Sequence, residues 1–457
     1  MTRSATMLVG GDDTIVARAT PDGRGALAVI RLSGARAIDI ARALGAFERA
    51  PVHRTVMRCA LRHPFTKTPL DDALVTPFCA PNTFTGEEIV ELSTHGGRVV
   101  VDSVMAACVA AGARLALAGE FARRAVVNGK MDVLQAEAMA DLIDARTTSM
   151  QRQALTQMDG GLSRRVLSLR DDVLHVEALL AYDIDFPDED DGPIAPMRIT
   201  TAATQVRDAI DALLASAPRA AIVRDGACVV IAGPPNAGKS SLFNALLGES
   251  RALVTEIAGT TRDAVDALLD RAPTPLRLVD TAGMRDTTDT LERLGIEVSE
   301  RFLGTAHVVL ACGASVVDVQ YAISAVRRHT SAPVLGVRTK CDVPVEETAP
   351  RADWCYVSAE SGQGVSALLT RLDAVLGSNE RAHEGEMLIT RERHQRCLRE
   401  AREEIAQFLD GWSSGALPAT VAAVHLLAAR DALSNLVGAI GTEDILDRVF
   451  ADFCIGK

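Results

Sequence analysis

Residues 233–240 read Gly-Pro-Pro-Asn-Ala-Gly-Lys-Ser and directly follow the apolar run ACVVIA. That spacing makes a phosphate cradle. The glycines let backbone N–H groups at a helix N-terminus approach an anion, Lys239 reaches the β- and γ-phosphates, and the Ser240 hydroxyl suits Mg²⁺. Three further segments follow in the order that a guanine-nucleotide site needs. GTTRD at 259–263 offers Thr261 as a second Mg²⁺ ligand. DTAG at 280–283 puts Asp280 beside the metal and the Gly283 N–H toward the γ-phosphate. TKCD at 339–342 is followed by Ser358-Ala359 after another strand-like run. Each string alone is common, but in this order and spacing they point together to GTP. The nucleotide set is Asn236, Ala237, Gly238, Lys239, Ser240 and Ser241; Thr255, Glu256, Ile257, Ala258, Gly259, Thr260 and Thr261; Asp280, Thr281, Ala282 and Gly283; Thr339, Lys340, Asp342, Ser358 and Ala359.

Two positions depart from a common GTP site. Thr339 stands where asparagine is usual. Asp342 still accepts from the N1–H and exocyclic amine of guanine, a donor pair that adenine lacks, so guanine preference survives. A threonine hydroxyl cannot supply both polar groups of an amide, and one lost hydrogen bond weakens binding by about 0.5–1.5 kcal/mol. The second departure is Met284, directly after DTAG. A methionine cannot orient a water, so hydrolysis needs another residue. Glu292 in DTLER is a carboxylate nearby in sequence, but from the residues alone it reads first as a solvated acid on a switch-region helix.

The elements that must position these residues change texture along the chain. TIVARAT, the turn PDGRG and ALAVIRLSG read as strand, turn, strand. ARAIDIARALG is helix-like, NTFTGEEIVELSTHGG is a further strand signal, and RVVVDSVMAACVAAG is helical. After Met131 the pattern is helical, and Val166, Leu169, Val173, Val176 and Leu180 repeat every three or four residues as one apolar face. A second amphipathic segment, TQVRDAIDALLASA, stops at Pro218. Between 227 and 376 apolar strands alternate with helices, the pattern of a doubly wound α/β unit. Helices return beyond Gly377. The α/β unit therefore reads as an insertion into one helical domain. The division is an α+β domain over 1–128, a first helical part over 129–224, an inserted P-loop α/β domain over 225–377, and a second helical part over 378–457.

The 457 residues carry a formal charge of −12, with 48% hydrophobic and 24% charged residues. An acidic total argues against indiscriminate nucleic-acid binding while leaving room for a local basic patch. The arginine-rich TRERHQRCLREAR at 390–402 is such a patch or a solvated helix face. The nine cysteines form no C-x-x-C pair, which suits buried thiols in a reducing cytosol and no zinc site. No run of 18 apolar residues implies a membrane span, and MTRSATMLVGGDD has no adequate apolar core for a signal peptide.

Taken with the flanks, these residues resemble the MnmE (TrmE) family of tRNA modification GTPases. TIVARATPDGRG, FTGEEIVEL, HGG, GEFARRAVVNGKMD, QAEAMADLIDA, DFPDED and the closing FCIGK are similar to family segments outside the nucleotide domain, and the resemblance runs from Asp13 to Lys457. It implies an N-terminal folate-binding and dimerising domain, then a helical domain interrupted by a Ras-like domain. The implied protein is cytoplasmic. It works as a homodimer and, in a heterotetramer, with an FAD-dependent partner of the MnmG type. Together they modify C5 of the wobble uridine of certain tRNAs (carboxymethylaminomethyl-type) using GTP hydrolysis and a tetrahydrofolate one-carbon unit.

The resemblance also assigns residues. Glu292 becomes the water-positioning catalytic group. Asn236, Thr255, Ile257 and Thr260 become a K⁺ shell, and Ser240 and Thr261 the Mg²⁺ ligands. Arg31, Glu91, Lys130 and Lys457 become folate contacts. Cys454, in the C-terminal motif, reads either as a small buried hydrophobe or as a neighbour of the folate. Read without the family, Arg31, Glu91 and Lys130 are ordinary charges. The competing reading is a ribosome-assembly GTPase with an unusual N-terminal domain.

Overall fold

The computed structural model describes residues 13–47, 49–185, 195–249, 251–253, 265–271, 274–280, 302–343, 351–377, 387–415, 418–438, 449–450, 453 and 456. Contacts divide the chain into two compact units, residues 1–140 with 434–457, and residues 141–433.

The first unit holds β1 (Ile15–Arg18), β2 (Leu27–Ser33), α1 (Ala37–Ala43), β3 (Met57–Arg62), β4 (Pro69–Phe78), β5 (Ile89–His95), α2 (Arg98–Ala110), β6 (Arg114–Leu115), α3 (Glu120–Val127) and the start of α4 (Val133–Asp144). The strands form one sheet in the order β3-β4-β5-β2-β1-β6. Strand β2 shows why. Ala28, Ile30 and Leu32 are fully buried and pack with Leu92, Ile40 and Val104, so one face of the sheet lies in the core. The alternate residues Val29 and Arg31 project from the other face, as the period of two requires. On that face Arg31 lies opposite Glu91, and Glu91 opposite Thr76. Strands β3 and β4 are additions to the elements that the sequence indicates. Phe450 and Phe453 pack edge to face, with ring centroids 5.0 Å apart, in a cluster with Ala122 and Ala136. A Cβ on Gly456 would lie 2.2 Å from the Arg18 carbonyl oxygen, so only glycine fits there.

The second unit begins with helices α5 (Thr148–Met158), α6 (Gly161–Asp185), α7 (Pro196–Leu214) and α8 (Ala217–Asp225). All five apolar residues expected on one face of α6 are buried, Val166 through Leu180. Helix α7 ends at Leu214, and Pro218 opens α8 rather than closing α7. Proline fits a first turn, where its missing N–H has no partner to lose.

An α/β layer follows: β7 (Ala227–Ala232), α9 (Lys239–Glu249), β8 (Arg251–Leu253), β9 (Val265–Asp270), β10 (Leu276–Asp280), β11 (Val308–Gly313), α10 (Val316–Val326), β12 (Val334–Arg338), β13 (Cys355–Tyr356) and α11 (Val365–Gly377). Its sheet order is β13-β12-β11-β7-β10-β9-β8. Every residue of β7 and β11 is buried, which explains why their sequences are unbroken apolar runs and not alternating ones.

The chain then returns to α12 (Glu392–Ser413) and α13 (Ala419–Val437). These pack onto the helices that precede the α/β layer. Arg402 pairs with Asp211 at 3.1 Å, Arg430 with Glu177 at 3.0 Å, and the Gln157 amide donates to the Leu388 carbonyl at 2.9 Å. The fold is thus an α+β N-terminal part, a helical part in two pieces and an inserted P-loop α/β layer. Among the described residues no helix is long and apolar enough to cross a membrane.

Candidate functional site

Two sites emerge, one in each unit. In the second unit the turn after β7 leads into α9, as a phosphate cradle requires. A Cβ on Gly233 would lie 2.2 Å from the Cys312 carbonyl oxygen, so the turn closes against β11 only with glycine there. Asn236 takes a left-handed backbone at φ +60° and is exposed at the loop crest. The Lys239 Nζ donates to the carbonyls of Gly233 and Pro234, at 2.9 and 3.0 Å. Burial pushes its pKa down, and the Asp280 carboxylate opposes that push. Asp280 closes β10, opposite Ile231 of β7 in a parallel pair, and is itself buried. Ser240 and Ser241 lie exposed in the first turn of α9.

The two segments that the sequence suggests for base recognition line a cavity of about 160 Å³, with Gly238, Ser241, Thr339, Lys340, Asp342, Ser358 and Ala359 in its wall. A hydrogen bond from Ser358 holds the Asp342 carboxyl below its usual range. Lys340 adopts φ +53°. The buried Thr339 hydroxyl lies 2.6 Å from the Ala237 carbonyl oxygen and 3.0 Å from that of Gly313. It therefore ties the base segment to the phosphate loop, a contact that the sequence does not signal. The structure thus brings together Asn236 through Ser241, Asp280, Thr339, Lys340, Asp342, Ser358 and Ala359. Thr255, Glu256, Ile257, Ala258, Gly259, Thr260, Thr261, Thr281, Ala282, Gly283, Met284 and Glu292 lie outside the described residues.

For a metal, the donors on hand are the Ser240 hydroxyl, the Asp280 carboxylate and the Asn236 amide. These are hard oxygens, the kind that Mg²⁺ and K⁺ accept. Among the described residues there is no cluster of three or more His, Cys, Asp or Glu placed to hold a metal by themselves.

In the first unit a cavity of about 580 Å³ is lined by Arg31, His53, Arg54, Phe78, Asn82, Thr83, Phe84, Ile89 and Glu91. Arg31 and Glu91 meet across β2 and β5. The Nε and Nη2 of Arg31 both donate to Oε1 of Glu91, at 3.0 and 2.8 Å. The Arg31 guanidinium lies 5.8 Å from the ring centroids of both Phe84 and Phe121. Lys130 donates to the Pro81 carbonyl at 2.7 Å, beside the 82–84 segment of the cavity wall, and is not itself part of the lining. Lys457 and Cys454 lie outside the described residues, while their neighbours Phe453 and Gly456 are placed in this unit.

The same unit holds a network of charges. Arg124 pairs with Asp13 at 2.8 Å, Glu87 at 3.1 Å and Glu120 at 3.0 Å. Arg114 pairs with Asp13 at 2.7 Å and Glu120 at 2.6 Å. Burial works to raise the Glu120 pKa, but hydrogen bonds from Arg114, the Leu117 N–H and Arg124 outweigh it and hold it below the usual 4.5. His53, Arg54 and this network carry no short-range sequence signal, because their partners lie tens of residues away.

Two family descriptions match the chain: "GTP-binding protein TrmE N-terminus" over residues 14–130 and "MnmE helical domain" over residues 133–454. The tRNA modification GTPase MnmE of Azoarcus sp. strain BH72 is 40% identical over 458 residues, covering 97% of this chain and 98% of that protein. The protein of the same name from Methylobacterium radiotolerans is 41% identical over 455 residues, covering 97% and 99%. Among solved structures, the G domain of the T. maritima FeoB iron transporter is 20% identical over 33% of this chain and 98% of its own, with a TM-score of 0.26.

Proposed function

The chain belongs to the MnmE family of tRNA modification GTPases, and from that premise we propose a K⁺-activated GTP hydrolase acting on C5 of the wobble uridine of certain tRNAs. The observation that carries the nucleotide part is the joined pocket of Asp342, Ser358 and Thr339 on the loop of Lys239. Asp342, held ionised by Ser358, accepts from the two guanine donors, and adenine leaves it unpaired. When GTP enters, the Lys239 ammonium exchanges the Gly233 and Pro234 carbonyls for phosphate oxygens. That exchange trades neutral acceptors for anionic ones, which bind about twice as strongly.

Ser240 and Thr261 would hold Mg²⁺, which would neutralise phosphate charge, and Glu292 would orient the attacking water in place of Met284. Asn236, Thr255, Ile257 and Thr260 would hold K⁺, which would supply the positive charge that an arginine finger supplies elsewhere, a role worth about 10³–10⁵ in rate.

The cavity of the first unit takes a tetrahydrofolate derivative. Glu91 supplies a paired acceptor for the pterin edge, Phe84 of the lining supplies an apolar face, and Lys130 and Lys457 complete the contacts. The volume of about 580 Å³ lies in the range of cofactor sites. The bound folate would supply the one-carbon unit, and an FAD-dependent partner of the MnmG type would act with this chain on tRNA in a cytoplasmic heterotetramer. A homodimer through the first unit is supported by the open sheet face, where Leu27 and Leu74 stay 65% and 47% exposed. This reading implies the domain limits 1–128, 129–224, 225–377 and 378–457.

Single-turnover hydrolysis in KCl and in NaCl tests the mechanism. Wild type is expected to be faster in KCl, and Asn236→Ala to lose that difference. Glu292→Ala is expected to bind GTP normally and to turn it over about 10²–10³ more slowly, as for loss of one preorganised transition-state group. Equal wild-type rates in both salts, or a fully active Glu292→Ala, would overturn it. Wobble uridine left unmodified at C5 in a deletion strain tests the tRNA assignment.

A further inference from the structure

The larger cavity carries cations of two kinds. Arg31 is spent on Glu91, since two of its nitrogens converge on one carboxylate oxygen. Arg54 lines the same cavity, is exposed, and its guanidinium meets no ion-pair or hydrogen-bond partner among the described residues. Beside it, His53 accepts a hydrogen bond at Nδ1 from the Cys79 N–H at 2.9 Å. That bond puts the proton of a neutral ring on Nε2, so the ring's other nitrogen is a donor. His53 also sits edge-on against Phe78, with centroids 6.4 Å apart. The rim formed by His53 and Arg54 therefore offers donors and positive charge, and suits an anionic acceptor.

The backbone holds this rim in an unfavourable form. Arg54 adopts φ +58°, with its N–H donating to the Pro77 carbonyl at 2.8 Å. Left-handed backbone favours glycine, and a side chain persists there where surrounding structure or function demands it. Of the four other non-glycine residues in that conformation among the described residues, Asn236 and Lys340 belong to the nucleotide site and Phe47 and Lys67 to neither site. The rim is offset from the ring end along the sheet. Phe78 pairs with Ile89 and Thr76 with Glu91, so the clamp at residues 77–79 lies two residues along the sheet from Glu91. At the strand rise this is about 7 Å.

We infer that His53 and Arg54 form a carboxylate-binding rim that takes the glutamate tail of the folate while Glu91 and Arg31 hold its ring. The inference rests on the folate reading of this cavity and adds which end of the ligand faces which residues. It makes Arg54 a specificity residue for the presence of the tail.

Calorimetry on the full chain tests it, using 5-formyltetrahydrofolate with one and with three glutamates and the tail-less 5-formyltetrahydropteroate. Wild type is expected to bind the one-glutamate form about tenfold more tightly than the tail-less one, the order of one charge-assisted hydrogen bond. Arg54→Gly is expected to erase that difference and leave the tail-less ligand unaffected. Because glycine relaxes φ +58°, its thermal midpoint should not fall, so a lost tail preference cannot come from misfolding. Arg54→Lys should retain part of the preference, and His53→Ala should reduce it. If wild type gains nothing from the tail, or Arg54→Gly weakens both ligands equally, the rim assignment is overturned while the folate reading stands. If wild type binds none of the three, both fall.

Discussion

At the nucleotide site the decisive side chains are held by backbone groups. Lys239 rests on the carbonyls of Gly233 and Pro234, and Thr339 on those of Ala237 and Gly313. Around the cavity of the first unit, side chains hold one another: Arg31 with Glu91, and Arg124 with Asp13, Glu87 and Glu120. Backbone-held sites come from short contiguous strings, because a turn and the helix after it fix their own geometry. Side-chain-held sites come from sheet register, and Arg31 meets Glu91 only because β2 and β5 pair in one alignment. A slip of one residue would put the two on opposite faces.

This contrast carries over to stability. Arg124 is nearly buried and serves three carboxylates, one of them the buried Glu120. Removing one partner of such a cluster leaves charge without compensation, which costs about 3–5 kcal/mol. Arg124→Ala is therefore expected to show the largest effect, lowering the melting temperature and folate affinity of the first unit. GTP affinity should stay near wild type, since the residues proposed to bind it lie in the other unit. A parallel loss of GTP binding would erase the contrast between the two sites.

The same network gives a smaller effect with a pH signature. Glu120→Gln keeps the shape and removes the charge, for an expected loss of about 1.5–3 kcal/mol near neutral pH. The folded pKa of Glu120 lies below its usual 4.5, so its ionised form contributes stability above that value. That contribution fades as pH falls through the lower folded value. Asp13 shifts the same way from 3.8, because Arg114 and Arg124 outweigh the burial that works to raise it. Denaturant titrations at a series of pH values should show the gap between wild type and Glu120→Gln narrowing below about pH 4.5. A gap independent of pH would show that packing, and not the charge, makes the contribution.

The same division decides what the sequence tells. The α/β layer and its phosphate loop were legible because parallel strands buried on both faces are unbroken apolar runs, and the nucleotide segments follow at their ends. Strand β4 was not, because PLDDALVTPF carries two prolines and two adjacent acids. Its prolines stand at its first residue, Pro69, and next to its last, Pro77, and Asp71 is held by His95 across the sheet at 2.7 Å. Arg31, Glu91 and Lys130 were indicated by family resemblance and not by spacing. The structure joins the first two and leaves Lys130 beside the wall.

Thr339 gives the smallest effect and tests the backbone half of the comparison most directly. The sequence alone suggests that threonine forfeits what an asparagine amide would supply. Its hydroxyl nevertheless reaches two carbonyl oxygens, and it has one proton to give. The Gly313 carbonyl already accepts the Thr339 N–H at 2.9 Å, and the Ala237 oxygen is the nearer of the two to the hydroxyl, so the proton belongs to Ala237. Thr339→Val keeps the volume and removes that bond, at about 0.5–1.5 kcal/mol, or roughly two- to tenfold in GTP affinity. Preference for GTP over ATP should persist, because Asp342 is untouched. Thr339→Asn should then tighten GTP by no more than about 1 kcal/mol, since the tie to the phosphate loop already exists. Competition titrations of both variants would check this. A Thr339→Val protein that binds GTP as wild type does would mean that the loops hold their places without the hydroxyl, and that backbone support at this site ends at Lys239.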